Sequence, residues 1–165
     1  MASNPNHGWV EETYTLTLSE IEGNNNISIS VAESCTGGII SSKITKISGV
    51  SKIFNMGFVV YSNKSKKLLL KINEKKLERY GAVSKEIAEE MIVNLYKISK
   101  TDLCISTTGI AGPNGSTKEK PVGLVYIGIK FRKNMKIIRK KFIGTRIEIQ
   151  NKTLNTVFKE INKII

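Results

Sequence analysis

Residues 27–47 constrain the fold most tightly. Ile27-Ser28-Ile29-Ser30-Val31-Ala32 alternates β-branched and polar side chains with period two, the pattern of a strand. Ser34-Cys35-Thr36-Gly37-Gly38 then makes a tight turn, and Ile40, Ile44 and Ile47 recur at the spacing of one helix face. Ser48-Gly49 ends that helix. A strand, a glycine turn and a helix in that order open an alternating α/β chain.

The rest of the chain continues the pattern. Phe54 to Tyr61 reads as a largely buried strand, and Asn63 to Lys71 as a short Lys-rich helix with Leu68 and Leu69 facing inward. Ser84 is placed to cap a helix from Lys85 to about Ser99, in which Ile87, Ala88, Met91, Ile92 and Leu95 share a face. Asp102 to Thr108 reads as a strand, and Gly109-Ile110-Ala111-Gly112-Pro113-Asn114-Gly115 as a loop. Val122 to Phe131 and Met135 to Phe142 form an antiparallel pair joined through Arg132-Lys133-Asn134. Thr145-Arg146-Ile147-Glu148 has the form of a capping box and opens a last helix with apolar residues at 147, 154, 157, 158, 161, 164 and 165. Upstream, residues 1–12 are polar and expected to fray, 13–23 fit either a strand or a short helix, and Asn24-Asn25-Asn26 signals a turn. Early alternation followed by a hairpin predicts an α/β fold, a three-layer α/β/α sandwich with a mixed β-sheet, in a single domain over residues 1–165.

Composition narrows the chemistry. The formal net charge is +12, but only four of the 26 basic residues are Arg, and the lysines are spread along the chain. No nucleic-acid motif or aromatic–basic interleaving accompanies them, so a solvated Lys-rich surface is preferred to nucleic-acid binding. Such a field favours an anionic small-molecule substrate. The two cysteines, Cys35 and Cys104, make no disulfide framework, and the single histidine, His7, lies in the N-terminal tail. Cys–His catalysis and a His-based metal site are thereby disfavoured. No apolar run is long enough to span a bilayer and no signal peptide is read, which points to the cytoplasm and away from a membrane.

Ligands of open α/β sheets sit at the C-terminal ends of strands. Three polar turns lie at such ends: Glu33 to Gly38, Tyr61 to Lys66, and Thr107 to Pro113. An active site requires them to converge. The first leads into a helix whose N-terminal N–H groups suit an anion, although the Gly-Lys-Ser/Thr of a P-loop is missing. With histidine set aside, a hydroxyl nucleophile needs another base; a lysine can serve where burial lowers its pKa, and Lys66, just past a buried strand and close to Tyr61, is the best-placed lysine.

Five segments resemble one family. Ala32-Glu33-Ser34-Cys35-Thr36-Gly37-Gly38, Tyr61-Ser62-Asn63, Tyr80-Gly81-Ala82-Val83-Ser84, Thr108-Gly109-Ile110-Ala111-Gly112-Pro113 and Glu119-Lys120-Pro121-Val122-Gly123 stand in the order and approximate spacing of the CinA C-terminal domain. That family includes stand-alone nicotinamide-nucleotide amidases. The resemblance implies hydrolysis of nicotinamide mononucleotide to nicotinate mononucleotide and ammonia in NAD salvage, with no metal, no organic cofactor and a homodimeric assembly. It implies Ser51, in Gly49-Val50-Ser51, as nucleophile, Lys66 as base and Tyr61 as a supporting tyrosine. It places Ser34, Thr36, Gly37, Gly38, Thr108, Gly109 and Arg146 around the substrate. Thr108 or backbone N–H groups would steady the oxyanion, and Arg146 or the Gly37-Gly38 helix end would take the phosphate. Two positions depart from the family pattern: Val50 replaces a serine, and Thr145 replaces an aspartate before Arg146. A catalytically weakened, nucleotide-binding domain is the alternative these departures raise.

Overall fold

The computed structural model describes residues 27–165, so the readings of the N-terminal tail lie outside the described residues. Five strands form one sheet: β1 (Ile29–Glu33), β2 (Phe54–Val59), β3 (Leu103–Gly109), β4 (Leu124–Phe131) and β5 (Asn134–Lys141), in the order β2-β1-β3-β4-β5. β1 lies parallel to β2 and β3, while β4 runs antiparallel to β3 and β5. The sheet is mixed, as expected, because long helical crossovers join the early strands and a tight turn joins the last two.

The helices are α1 (Ile39–Thr45), α2 (Asn63–Leu70), α3 (Glu74–Tyr80), α4 (Lys85–Ser99) and α5 (Arg146–Ile161). α1 and α5 cover one face, burying Ile40, Ile44, Leu154, Val157 and Phe158 against Val31, Ile105 and Ile127. α4 covers the other face with Ile87, Met91, Ile92 and Leu95, flanked by Leu70 of α2 and Leu77 of α3. α4 comes close to the sheet at Gly128, where a built Cβ would lie 3.2 Å from Ile92 Cβ and 2.4 Å from Ser106 Oγ. Ser84 caps α4 as expected, accepting from the Ile87 N–H at 3.2 Å, and Thr145 and Glu148 form the expected capping box on α5.

Four expectations are corrected. β2 is a half-buried edge strand rather than a buried one, because the strand order leaves one of its sides unpaired among the described residues. Leu68 and Leu69 do not face inward; they are exposed, and Lys66 and Leu70 occupy the buried face, one helical turn apart. Ile147 of α5 is exposed, and Ile149 takes its place in the core. Finally, α3 forms a helix where none is expected, started by Asn73, whose side chain accepts from the Lys76 N–H at 3.1 Å.

Candidate active site

The three turns converge. Beyond the C-terminal ends of the parallel strands lies a cleft of about 230 Å³, lined by Ser34 and Cys35, Tyr61 and Lys66, and Thr108 to Gly112. Ala82, Val83, Asn114, Gly115 and Arg146 complete its walls. A larger apolar groove between β5 and the end of α5 carries no comparable pair of reactive groups.

Lys66 is among the largest side chains with almost no exposure, at 1%. α2 is capped by Ser62 just after β2, and this brings Lys66 on its second turn underneath the cleft. Its Nζ donates to Ser34 Oγ at 2.9 Å and to the Val60 carbonyl at 2.8 Å. Burial lowers its pKa to about 8, because desolvation disfavours the ammonium. When the amine is neutral, Val60 can still accept one of its N–H bonds while its lone pair faces the Ser34 hydroxyl. That is the arrangement of a hydroxyl nucleophile with its base.

Ser51, expected as the nucleophile, is not brought to Lys66. It is exposed in a short 3-10 turn, Val50–Lys52, that precedes β2. The next residue, Ile53, accepts the Ile29 N–H at the start of β1. Ser34 follows the other end of β1, roughly 16 Å away for five residues at ~3.3 Å each. The reason is topological. A helix joining parallel strands starts at the C-terminal end of one and finishes at the N-terminal end of the next, so the two ends of α1 face opposite sides of the sheet.

The turn itself serves differently than expected. The N–H groups of Gly38, Ile40 and Ser41 all donate to the Glu33 carboxylate, so the start of α1 is already occupied. Thr36 pairs its hydroxyl with that of Thr107 at 2.8 Å, and Thr36, Gly37 and Gly38 do not line the cleft. Among the described residues, the backbone N–H groups of Cys35 and Thr36 donate to no protein oxygen. Burial pushes the Cys35 thiol up to about 12, outweighing the nearby charge of Lys66, so this thiol stays protonated. Gln150 holds the Cys35 carbonyl from α5 at 2.9 Å.

Thr108 lines the cleft, but its hydroxyl donates to the Ala82 carbonyl at 2.8 Å. It therefore ties the Tyr80–Ser84 loop to β3, and its proton is not free for an oxyanion. Gly109 lines the cleft at the end of β3, where a built Cβ would lie 2.8 Å from the Leu124 carbonyl. Arg146 donates to the Gly112 carbonyl at 2.5 Å and to the Tyr61 hydroxyl, so the missing aspartate before it is replaced by a carbonyl and a phenol. No group of His, Cys, Asp and Glu among the described residues could hold a metal.

Comparison with known proteins agrees with the fold and with the motifs. The CinA C-terminal domain model matches residues 11–165. The chain belongs to this family. It is 47% identical over 146 residues to a putative competence-damage inducible protein of Thermoanaerobacter pseudethanolicus, covering 87% of this chain and 35% of that protein. It is 46% identical over 143 residues to a CinA-like protein of Fusobacterium nucleatum, again covering 87% and 35%. The chain thus spans about a third of the length of these relatives. Among solved structures, the competence/damage inducible protein CihA from Agrobacterium tumefaciens superposes with a TM-score of 0.89 at 33% identity, over 99% of this chain and 98% of that one. No helix among the described residues is long and apolar enough to cross a membrane.

Ala82 and Val83, the part of the wall tied to Thr108, were not singled out as site residues from sequence. The signal was present, since Tyr80 to Ser84 is one of the five family segments. Glu33 was likewise visible only as part of a motif.

Proposed function

We propose that this CinA-family chain is an amidohydrolase in which Ser34 is the nucleophile and Lys66 its base, acting on the carboxamide of nicotinamide mononucleotide. The buried 2.9 Å contact between Ser34 Oγ and Lys66 Nζ carries this reading. Ser34 attacks the amide carbon while neutral Lys66 takes its proton. The N–H of Cys35, which follows the nucleophile and lines the cleft, is the candidate to receive the oxyanion. The resulting ammonium returns a proton to the departing nitrogen, releasing ammonia and leaving an acyl ester on Ser34. Water, deprotonated by Lys66, then hydrolyses the ester to the carboxylate and frees Ser34. The positive charge of the pyridinium ring draws electrons from the carbonyl and makes each attack easier.

The cleft supports a nucleotide that is only partly enclosed. Its volume of about 230 Å³ lies below the ~300 Å³ at which pockets for drug-sized ligands begin. A pyridine ring and its amide would enter, and the phosphate would remain at the mouth. Arg146 stands there, exposed and oriented by Gly112 and Tyr61. The start of α1 is no rival for the phosphate, because Glu33 takes its N–H groups. The two departures from the family pattern do not touch the cleft: Val50 is buried in the core beneath α1, and Thr145 caps α5.

Incubation with nicotinamide mononucleotide should release ammonia and yield nicotinate mononucleotide by mass spectrometry. Ser34→Ala and Lys66→Met should each abolish release, while Ser51→Ala should leave it unchanged. Arg146→Ala should raise KM about tenfold or more, the loss of a charge-assisted phosphate contact. Full activity in Ser34→Ala would sink the proposal.

A further inference from the structure

Glu33 ends β1 with no exposed surface and lies outside the lining of the cleft. Its Oε2 accepts from the N–H groups of Gly38 at 3.0 Å and Ile40 at 3.1 Å. Its Oε1 accepts from the Ser41 N–H at 2.8 Å and the Ser41 hydroxyl at 2.7 Å. Both oxygens therefore act only as acceptors, and four donors replace the water that burial removes.

The position of this cap is unusual. A helix cap normally comes from the residue just before the first turn, whereas Gly38, the residue before α1, offers no side chain. Glu33 caps from five residues upstream, so its bonds span the whole Ser34–Gly38 turn. Other ties of that turn include the Ser34 N–H to the Thr107 carbonyl at 3.0 Å, the Gly37 N–H to the Ser34 carbonyl at 3.1 Å, the Thr36–Thr107 hydroxyl pair, Gln150 on Cys35 and Lys66 on the Ser34 hydroxyl. Any slack at Glu33 passes directly into the residue that follows it, Ser34. A neighbouring strand is fitted to the same contact. A Cβ built on Gly57 of β2 would stand 2.7 Å from Ser41 Oγ, so the Ser41 hydroxyl reaches Glu33 past a position that carries no side chain.

We propose that Glu33 is a positioning residue of the hydrolysis: it clamps α1 to the end of β1 across the Ser34 turn and so holds Ser34 Oγ at attacking distance from both Lys66 and the substrate. This inference rests on the reading of Ser34 and Lys66 as nucleophile and base. Glu33→Gln tests it, because a Gln amide nitrogen would point a donor at the N–H groups that Glu33 now accepts.

Steady-state kinetics on nicotinamide mononucleotide should show kcat reduced on the order of 100-fold in Glu33→Gln, the scale of a misplacement of about 1 Å. KM should stay within about twofold, since Arg146 sits on α5. Glu33→Asp, one methylene shorter, should not rescue it. Ser41→Ala removes one of the four bonds and should fold normally with a smaller loss of kcat, and Gly57→Ala should fall between Ser41→Ala and Glu33→Gln. A merely structural cap predicts another result: activity that falls only with the folded fraction, measured by circular dichroism, with kcat per folded molecule intact. That outcome, or undiminished kcat in both Glu33→Gln and Ser41→Ala, overturns the inference alone. A wild-type chain that releases no ammonia, or a Ser34→Ala variant that still does, overturns the amidase reading and this inference with it.

Discussion

Lys66 is protonated in most molecules at pH 7, because burial lowers its pKa only to about 8. A base must be neutral to act, so kcat/KM should rise with pH through about 8 and then level off. The same shift acts on stability. The unfolded chain holds the lysine proton up to its ordinary value of 10.5, while the folded chain releases it near 8, so the unfolded state binds more protons between those values. Stability should therefore rise with pH across that window, relative to Lys66→Met, in which the slope should vanish. Urea titrations of both proteins at several pH values would measure it; equal slopes would refute burial as the source of the shift. Lys66 also shows how a side chain misleads a hydropathy pattern. The inward face of α2 contains a lysine, so the two leucines beside it look like the better inward pair.

Helix caps place the cleft walls. Ser84 both accepts from the Ile87 N–H and donates to the Gly81 carbonyl at 3.0 Å, closing the loop that holds Ala82 and Val83 against the cleft. Ser84→Ala should cost about 1 kcal/mol in denaturant unfolding, the usual value of a lost N-cap. It should also raise KM modestly, because the Tyr80–Ser84 wall then keeps only the Thr108 bond to Ala82 and the Lys120 bond to Tyr80. The caps of α4 and α5 were legible in sequence because capping is local: an acceptor side chain and the N–H it satisfies lie three residues apart. The face of α2 and the edge position of β2 were not legible to the same degree. They depend on what lies opposite each element, which no local pattern records.

At the scale of the whole molecule, the chain carries a net charge of +12 and a cleft proposed to take a phosphate-bearing substrate. Raising ionic strength from about 0.01 to 0.3 M shortens the screening length from ~30 Å to roughly 6 Å. KM for nicotinamide mononucleotide should then rise several-fold with kcat unchanged, as the long-range field is screened while the buried Ser34–Lys66 pair is not. A salt-independent KM would show that only Arg146, and not the field, recruits the substrate.

The sequence by itself determined the class of fold, the caps of the long helices, the loops that meet at the strand ends, and Lys66 as the candidate base. These follow from periodicity, from three-residue capping geometry and, for Lys66, from the resemblance of its Tyr61-Ser62-Asn63 segment to one family. Which serine faces that lysine was decided only by tertiary structure. Ser34 and Ser51 lie at opposite ends of the segment that contains α1. Because parallel pairing of β1 and β2 sends that segment across the full height of the sheet, only Ser34 shares a side with Lys66. Glu33 shows the same division. A carboxylate in a glycine-rich motif reads from sequence as one polar residue among several, and it becomes a clamp only when the chain folds back to bring four donors around it.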